Sequence, residues 1–338
     1  MNDMRAKAPI DWVRVLAAYR DPDTKRSAFE LAVTLLPFLA IFALAWWVLP
    51  HSGLAALALA VLNAGFLVRL FVIQHDCGHG SYFKSRSLSD WTGRLLGVLT
   101  FTPYDVWRRT HAIHHASHGN LDQRGIGDIV TLTVAEYRAL SPFGKLRYRA
   151  YRHPITLFLI GPIYIFVLQN RLPVGLMRAG SQYWTSAMGT NIALAALFGA
   201  LFWFGGWKLI AFVAAPTVLL AAAAGMWLFF VQHQFEEAHW DKAEDWQIHD
   251  AALNGSSHYI LPPVLRWFSG NIGIHHVHHL YSRIPFYRLP EVIRDHAALA
   301  EAQRLTLAES LGCIRLHLWD ETSRRLMSFA EARRLAAA

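Results

Sequence analysis

The sequence predicts an all-α integral membrane protein with four transmembrane helices, and three observations carry that reading. Four stretches of about 20 residues hold almost no charge, the positive residues fall on one side of those stretches, and the histidines gather in short clusters on that same side. Of the 338 residues, 54% are hydrophobic and only 17% are charged, which excludes a disordered chain and exceeds the apolar share of an ordinary soluble domain. The two cysteines, Cys77 and Cys313, are too few for a disulfide framework, a zinc ribbon or a Cys-held iron–sulfur cluster. Any metal chemistry must therefore run on the 18 histidines. A net charge of +8 raises the question of nucleic acid. A membrane surface accounts for it better, and no nucleic-acid partner is expected.

In chain order, residues 1–30 form a polar lead-in segment. The first span is expected from about Leu31 to Pro50, the second from about Leu54 to Gln74, the third from about Thr185 to Phe204 and the fourth from about Leu209 to Gln232. A 20-residue helix at ~1.5 Å per residue covers roughly the 30 Å of hydrocarbon. Within these spans Arg69 is the charge to explain, and a position near a helix end would let it snorkel to the interface. Two weaker segments complete the membrane reading. Ile155 to Leu168 is apolar but short and broken by Gly161-Pro162, as an interfacial or re-entrant segment would be. Leu88 to Phe101 sets Asp90 and Arg94 against Trp91, Leu95, Leu96 and Leu99, the pattern of an amphipathic helix lying along a surface.

Positive residues test the layout independently, because cytoplasmic loops retain Lys and Arg. Residues 1–30 hold six, 75–154 hold eleven and 233–338 hold eleven, whereas the connections at 51–53 and 205–208 hold none and one. Both termini and the long central loop are therefore expected in the cytoplasm, with two tight hairpins on the far side. No removable signal peptide is read ahead of the first span, which is expected to be retained. The organisation is thus a membrane and catalytic unit over 31–290 between the 1–30 segment and a helix-forming cytosolic segment at 291–338.

The clusters carry the function. His75-Asp76-Cys77-Gly78-His79 closes the second span, and residues four apart share a helix face, so His75 and His79 can meet one metal. His111-Ala112-Ile113-His114-His115 repeats the logic at i, i+3 and i+4, as do His275, His278 and His279 within His275-His276-Val277-His278-His279. Eight imidazoles exceed the four ligands of a structural zinc and suit two metals with open positions. Imidazole alone does not choose between iron, copper, zinc and nickel. His276 lies ~100° round the helix from His275 and should face away, and His118 is expected to lie outside the ligand set. Carboxylates should orient some of the rings. Asp76, Asp105, Asp128 and Glu236 are the candidates, although Asp76 adjoins His75 and on an ideal helix would not face the same metal.

In this arrangement the chain resembles the membrane-bound fatty acid desaturases. The text HDCGHGSYF from His75, WRRTHAIHH from Trp107 and GNIGIHHVHHL from Gly270 is similar to that family's three histidine boxes, each placed beyond a membrane hairpin. The Asn120-Leu121-Asp122 and Thr133-Val134-Ala135-Glu136 neighbourhood resembles the acyl-lipid branch. The resemblance implies four transmembrane helices forming a stem under a cytosolic helical cap. It also implies a non-haem di-iron oxidoreductase that takes O₂ as co-substrate, a membrane-lipid acyl chain as substrate, and two electrons from outside. The ligands it implies are His75, His79, His111, His114, His115, His275, His278 and His279. A ninth is expected near the cytoplasmic end of the fourth span, where His233 is favoured over His258. No His-Pro-Gly-Gly cytochrome signature is read in these residues, so the donor is expected to be a separate ferredoxin-like or cytochrome-like protein, and the setting a bacterial inner membrane.

Two further readings remain. A hydroxylase or ketolase of the same superfamily would use the same boxes and differ in product. A histidine-rich metal transporter would want polar ligands near the midplane of its spans, where this chain offers little beyond Asn63, Thr190, Asn191 and Thr217.

Overall fold

The computed structural model describes residues 11–125 and 127–335. A short helix, α1 (Trp12–Leu16), precedes two long antiparallel helices, α2 (Thr24–Val48) and α3 (Gly53–His79). Both are longer than the apolar stretches that predicted them. The helix α2 starts seven residues early because Asp23 caps it, accepting from the N–H groups of Lys25 and Arg26. Its first turns turn Ser27, Glu30 and Thr34 inward, all buried. That polar face receives Arg69. Contrary to the snorkelling expected of it, Arg69 is 2% exposed, donates from Nη2 to Glu30 Oε2 at 2.5 Å and from Nε to Thr34 Oγ1 at 3.2 Å, and lies over the Trp267 ring. A charge that finds a carboxylate partner has no need of water.

The helix α4 (Arg86–Leu99) exposes Leu88, Trp91 and Leu95 on one face while burying Ser89, Gly93 and Leu96 on the other, so Leu96, read with Trp91 and Leu95 as one apolar face, turns into the core instead. It is followed by α5 (Tyr104–Ser117), the short strand β1 (Leu132–Thr133), α6 (Val134–Ala139) and α7 (Pro142–Tyr151). Beyond α7 the Ile155–Leu168 segment forms wide helical turns over Thr156–Ile160 and Ile163–Leu168. Helix α7 and the run Thr156–Arg171 meet at a bend of 56°, and together this bent pair is long and apolar enough to count as one broken span or a re-entrant loop.

The expected third and fourth spans are limbs of one 53-residue helical run, Ser181–His233. Its parts are α8 (Ser181–Leu209), wide turns over Ile210–Ala214, and α9 (Ala215–His233). Pro216 lacks the N–H that would close the preceding turn, which accounts for the widening. A straight run of this length would reach ~80 Å, far beyond a bilayer's hydrocarbon. It doubles back instead. Gly206 adopts φ 67°, ψ −176°, a conformation that only glycine reaches without strain. Both ends of the run meet α5: the Asp105 N–H donates to Ser186 Oγ at 3.1 Å, and His233 lies 3.2 Å from His114. Among the described residues, the helical runs long and apolar enough to cross a membrane are thus Thr24–Val48, Gly53–His79 and Ser181–His233, the last divided at Gly206 into two limbs.

Helix α3 is the most buried of the long helices, packed between α2, α9 and α4. Over its end and that of α9 gather α10 (Ile248–Asn254), β2 (His258–Ile260), α11 (Pro263–Phe268), α12 (His275–Leu280) and the C-terminal segment. The all-α expectation needs one amendment. The C-terminal segment contributes β3 (Arg304–Thr306), β4 (Leu318–Asp320) and β5 (Arg325–Met327). Strand β3 pairs parallel with β2, His258 opposite Arg304; β4 pairs parallel with β1, Leu132 opposite Leu318, and antiparallel with β5. Strands of two or three residues are too short to show the alternation by which a strand is read from sequence.

Candidate metal centre

Each histidine cluster falls on the last turn of a helix or on a short helix, so the i, i+3 and i+4 spacings project as the sequence predicts. They do not, however, project at a single point. His75 and His79 of α3, His111 and His115 of α5, and His278 of α12 bring one ring nitrogen each to within 4.8 Å of one another. His114 of α5, His275 and His279 of α12, and His233 at the end of α9 do the same in a second group. Helices α5 and α12 thus divide their imidazoles between the two groups. The groups abut where the rings of His115 and His279 stack, centroids 4.1 Å apart and planes 14° apart.

In the first group, Nε2 of His111 lies 3.0 Å from Nε2 of His79 and 3.1 Å from that of His115, which is 3.1 Å from that of His278. In the second, Nε2 of His233 lies 3.2 Å from that of His114 and 3.0 Å from that of His275, which is 3.1 Å from that of His279. Burial, reinforced by neighbouring imidazoles, pushes His111, His115, His275, His278 and His279 well below the usual histidine range. These rings are neutral, the form that binds metal.

Whether the residues fit a metal is tested by the His114–His233 contact. The His114 Nδ1–H donates to Asp128 Oδ1 at 2.6 Å, and the His233 Nδ1–H points at the Gly255 carbonyl at 3.4 Å. A neutral imidazole carries one N–H, so both Nε2 atoms present lone pairs. Neither can donate to the other across their 3.2 Å separation. A cation between them removes the repulsion, and two nitrogens at ~2.1 Å from one ion, the usual metal–imidazole distance, stand roughly 3 Å apart. The residues fit.

The fatty acid desaturase family profile matches residues 45–310. The chain belongs to that family. Among its relatives, a fatty acid desaturase of Bacillus subtilis (strain 168) is 43% identical over 93% of this chain and 89% of the relative. An sn-1 acyl-lipid omega-3 desaturase (ferredoxin) of Synechocystis is 33% identical over 65% of this chain and 61% of its own length. An sn-1 oleoyl-lipid 12-desaturase of the same organism is 27% identical over 77% and 71%.

In this desaturase-family chain two of the four candidate carboxylates reach the histidines. Asp128 holds His114; burial acts to raise its carboxyl, but His114 and His118 outweigh that effect and keep it below the usual carboxylate range. Asp76, a candidate although it adjoins His75, folds back along α3. It accepts from His75 Nδ1–H at 3.2 Å on Oδ1 and from the Phe286 N–H at 2.7 Å on Oδ2. Asp105 instead pairs with Arg94, and Glu236 with Arg325. His276 faces away as expected, donating from Nε2 to the Leu299 carbonyl at 2.8 Å, and His258 donates to the Ala300 carbonyl at 3.0 Å, apart from both groups. His118 is buried, and its Nε2–H donates to the Gly255 carbonyl that also faces His233. Cys77 is buried at the packed core of α3, away from both groups.

A cavity of about 220 Å³ opens against the first group, with His79, His111, Trp107, Arg109, Gln182 and Tyr183 in its wall. Trp107 lines it, stacked on His111 with centroids 4.6 Å apart and planes 16° apart. Tyr82, Phe83 and Trp240 are core residues, and Trp267 covers Arg69.

Proposed function

We propose that the protein introduces a cis double bond into an acyl chain of a membrane lipid. The reaction removes two hydrogens from adjacent carbons and reduces O₂ to two waters, with two electrons and two protons supplied from outside. The observation that carries this reading is the convergence of nine imidazoles into two abutting groups in a chain of this family. One iron ion would be held by His75, His79, His111, His115 and His278, the other by His114, His233, His275 and His279. When bound, the irons supply the oxidising power that no side chain has.

The chain's own residues do the rest. Asp128 and Asp76 fix the tautomers of His114 and His75 so that Nε2 is the free nitrogen. Trp107 holds the His111 ring by stacking and forms an apolar wall beside it. A cavity beside His79 and His111 lets the reacting methylenes approach with restricted orientation, which is how a rigid site selects one position along a uniform chain. The closely packed core around α3 keeps bulk water from the other side of the histidines.

The same reading gives four crossings, with the two limbs of Ser181–His233 as the third and fourth, and places both termini and the histidines in the cytoplasm of a bacterial inner membrane. The two Synechocystis relatives with sn-1 specificity support a lipid-bound substrate, and the ferredoxin in the name of one supports a separate ferredoxin-like donor. The test is expression in a host lacking the activity, with gas chromatography and mass spectrometry of its fatty acids. A new monoene or diene is expected from the native chain, and none from His111→Ala inserted equally well in the membrane. A hydroxy or keto product would overturn desaturation in favour of the hydroxylase or ketolase reading.

A further inference from the structure

Helix α7 ends at Arg152, a guanidinium that is 1% exposed and makes none of its hydrogen bonds to a carboxylate. Its Nη2 donates to Gln234 Oε1 at 2.7 Å and to the Leu316 carbonyl at 2.9 Å; its Nη1 donates to Thr131 Oγ1 and to the Val130 carbonyl, both at 3.2 Å. Thr131 Oγ1 in turn lies 3.2 Å from Gln234 Oε1, closing a triangle whose three members are all 0–1% exposed. Burying a charge without a counter-charge is costly, so a chain that does so needs what the fork of donors holds together.

What it holds is one segment on each side of the second histidine group. Gln234 follows His233 directly and is the first residue beyond α9. Thr131 follows, by three residues, the Asp128 that fixes the His114 tautomer. The two facing lone pairs, those of His114 and His233, thus depend on segments that meet at Arg152. The first group has no part in the triangle.

We propose that Arg152 is a positioning residue for the second metal, acting through Gln234 and Thr131 to set the rings of His233 and His114. The inference rests on the reading of the two histidine groups as metal sites. It predicts unequal effects: loss of Arg152 weakens one ion and spares the other.

The experiment uses the full chain purified in detergent, titrated with Fe(II) and separately with Co(II) under chelator competition, and read as ions per chain and as the Co(II) absorption spectrum. The native chain is expected to hold two ions. Arg152→Met is expected to hold one as the native chain does and the other roughly 10- to 100-fold more weakly, the usual size of an effect one step behind the ligands. Arg152→Lys, which keeps the charge but not the fork, is expected to behave alike. Adding Arg152→Met to His233→Ala should weaken binding no further, because both act on the same ion. If Arg152→Met does not fold, Thr131→Val and Gln234→Leu each remove one corner of the triangle and should give the same one-ion pattern. Two ions held with native affinity by the folded variants, or equal weakening of both, would overturn the inference and leave the metal reading intact. A native chain that holds no ions would overturn the metal reading itself.

Discussion

Asp128 accepts a 2.6 Å hydrogen bond from Nδ1–H of His114, and that contact decides which nitrogen of the ring is left with a lone pair. The sign of its consequence is fixed by chemistry. Asp128→Asn can offer the same position a donor as readily as an acceptor, so the preference for Nε2 as the free nitrogen is lost. The expected result is a fall of roughly 10- to 100-fold in affinity for the ion of the second group. Equilibrium dialysis against Co(II) measures it, and an unchanged affinity would show that His114 needs no such support.

The buried Glu30–Arg69 pair predicts an asymmetry between two single substitutions. Arg69→Met leaves Glu30 with Arg26, whose Nη2 lies 2.6 Å from Glu30 Oε1. Glu30→Gln leaves Arg69 buried without its carboxylate and should cost more, of the order of 3–5 kcal/mol. The double variant should recover part of that loss. Equilibrium unfolding of the three proteins in mixed micelles ranks them, and equal costs would refute the asymmetry.

Gly78 packs against the edge of Trp107. A Cβ at Gly78 would stand 2.7 Å from the Trp107 ring, which is confined by His111 and Phe71 and has little room to retreat. Gly78→Ala is therefore expected to push Trp107 into the cavity beside His79 and His111. Product formation should fall several-fold while the number of bound ions stays the same. Unaltered turnover at normal protein levels would mean that the cavity is not on the substrate's path.

His317 predicts a pH dependence of stability. Burial, helped by the charge of Arg152, pushes its imidazole down to about 4. The unfolded chain takes up that proton near pH 6.5, so folding is opposed as pH falls from about 6.5 towards about 4 and feels no further change below. His317→Phe, which keeps a ring against Phe329, should make thermal stability fall less steeply across that window by one proton's share, the buried histidines of the two groups keeping the rest of the slope. An identical slope with and without the imidazole would assign the acid sensitivity elsewhere.

Much of the site was legible because helical spacing is a strong constraint. Residues at i, i+3 and i+4 share a side whatever the fold, so His75 with His79, and His111 with His115, could be matched before any coordinates. The division of α5 and α12 between two groups was not legible, since it depends on how the helices cross. Asp76 was a candidate by type, but its route to the histidines was not legible: the side chain bends back to Nδ1 of its neighbour's ring, where an ideal helix aims it elsewhere. The long helices were found by hydropathy, but their polar inner turns were missed. Ser27, Glu30 and Thr34 look like solvent residues until Arg69 is opposite them. Arg152 left no signal, because a buried arginine and an exposed one are the same letter.

The strand β4 and the Leu316 carbonyl have a consequence for biogenesis. Leu318 pairs with Leu132, and Arg152 is completed by a carbonyl more than 160 residues later in the chain. A polypeptide that has not yet reached Leu316 lacks one acceptor of the Arg152 fork and the strand that pairs with β1, however well its helices have inserted. Assembly of that half of the site therefore follows synthesis of β4, and a chain cut ahead of residue 316 is expected to form its long helices while leaving the segments around His114 and His233 untied.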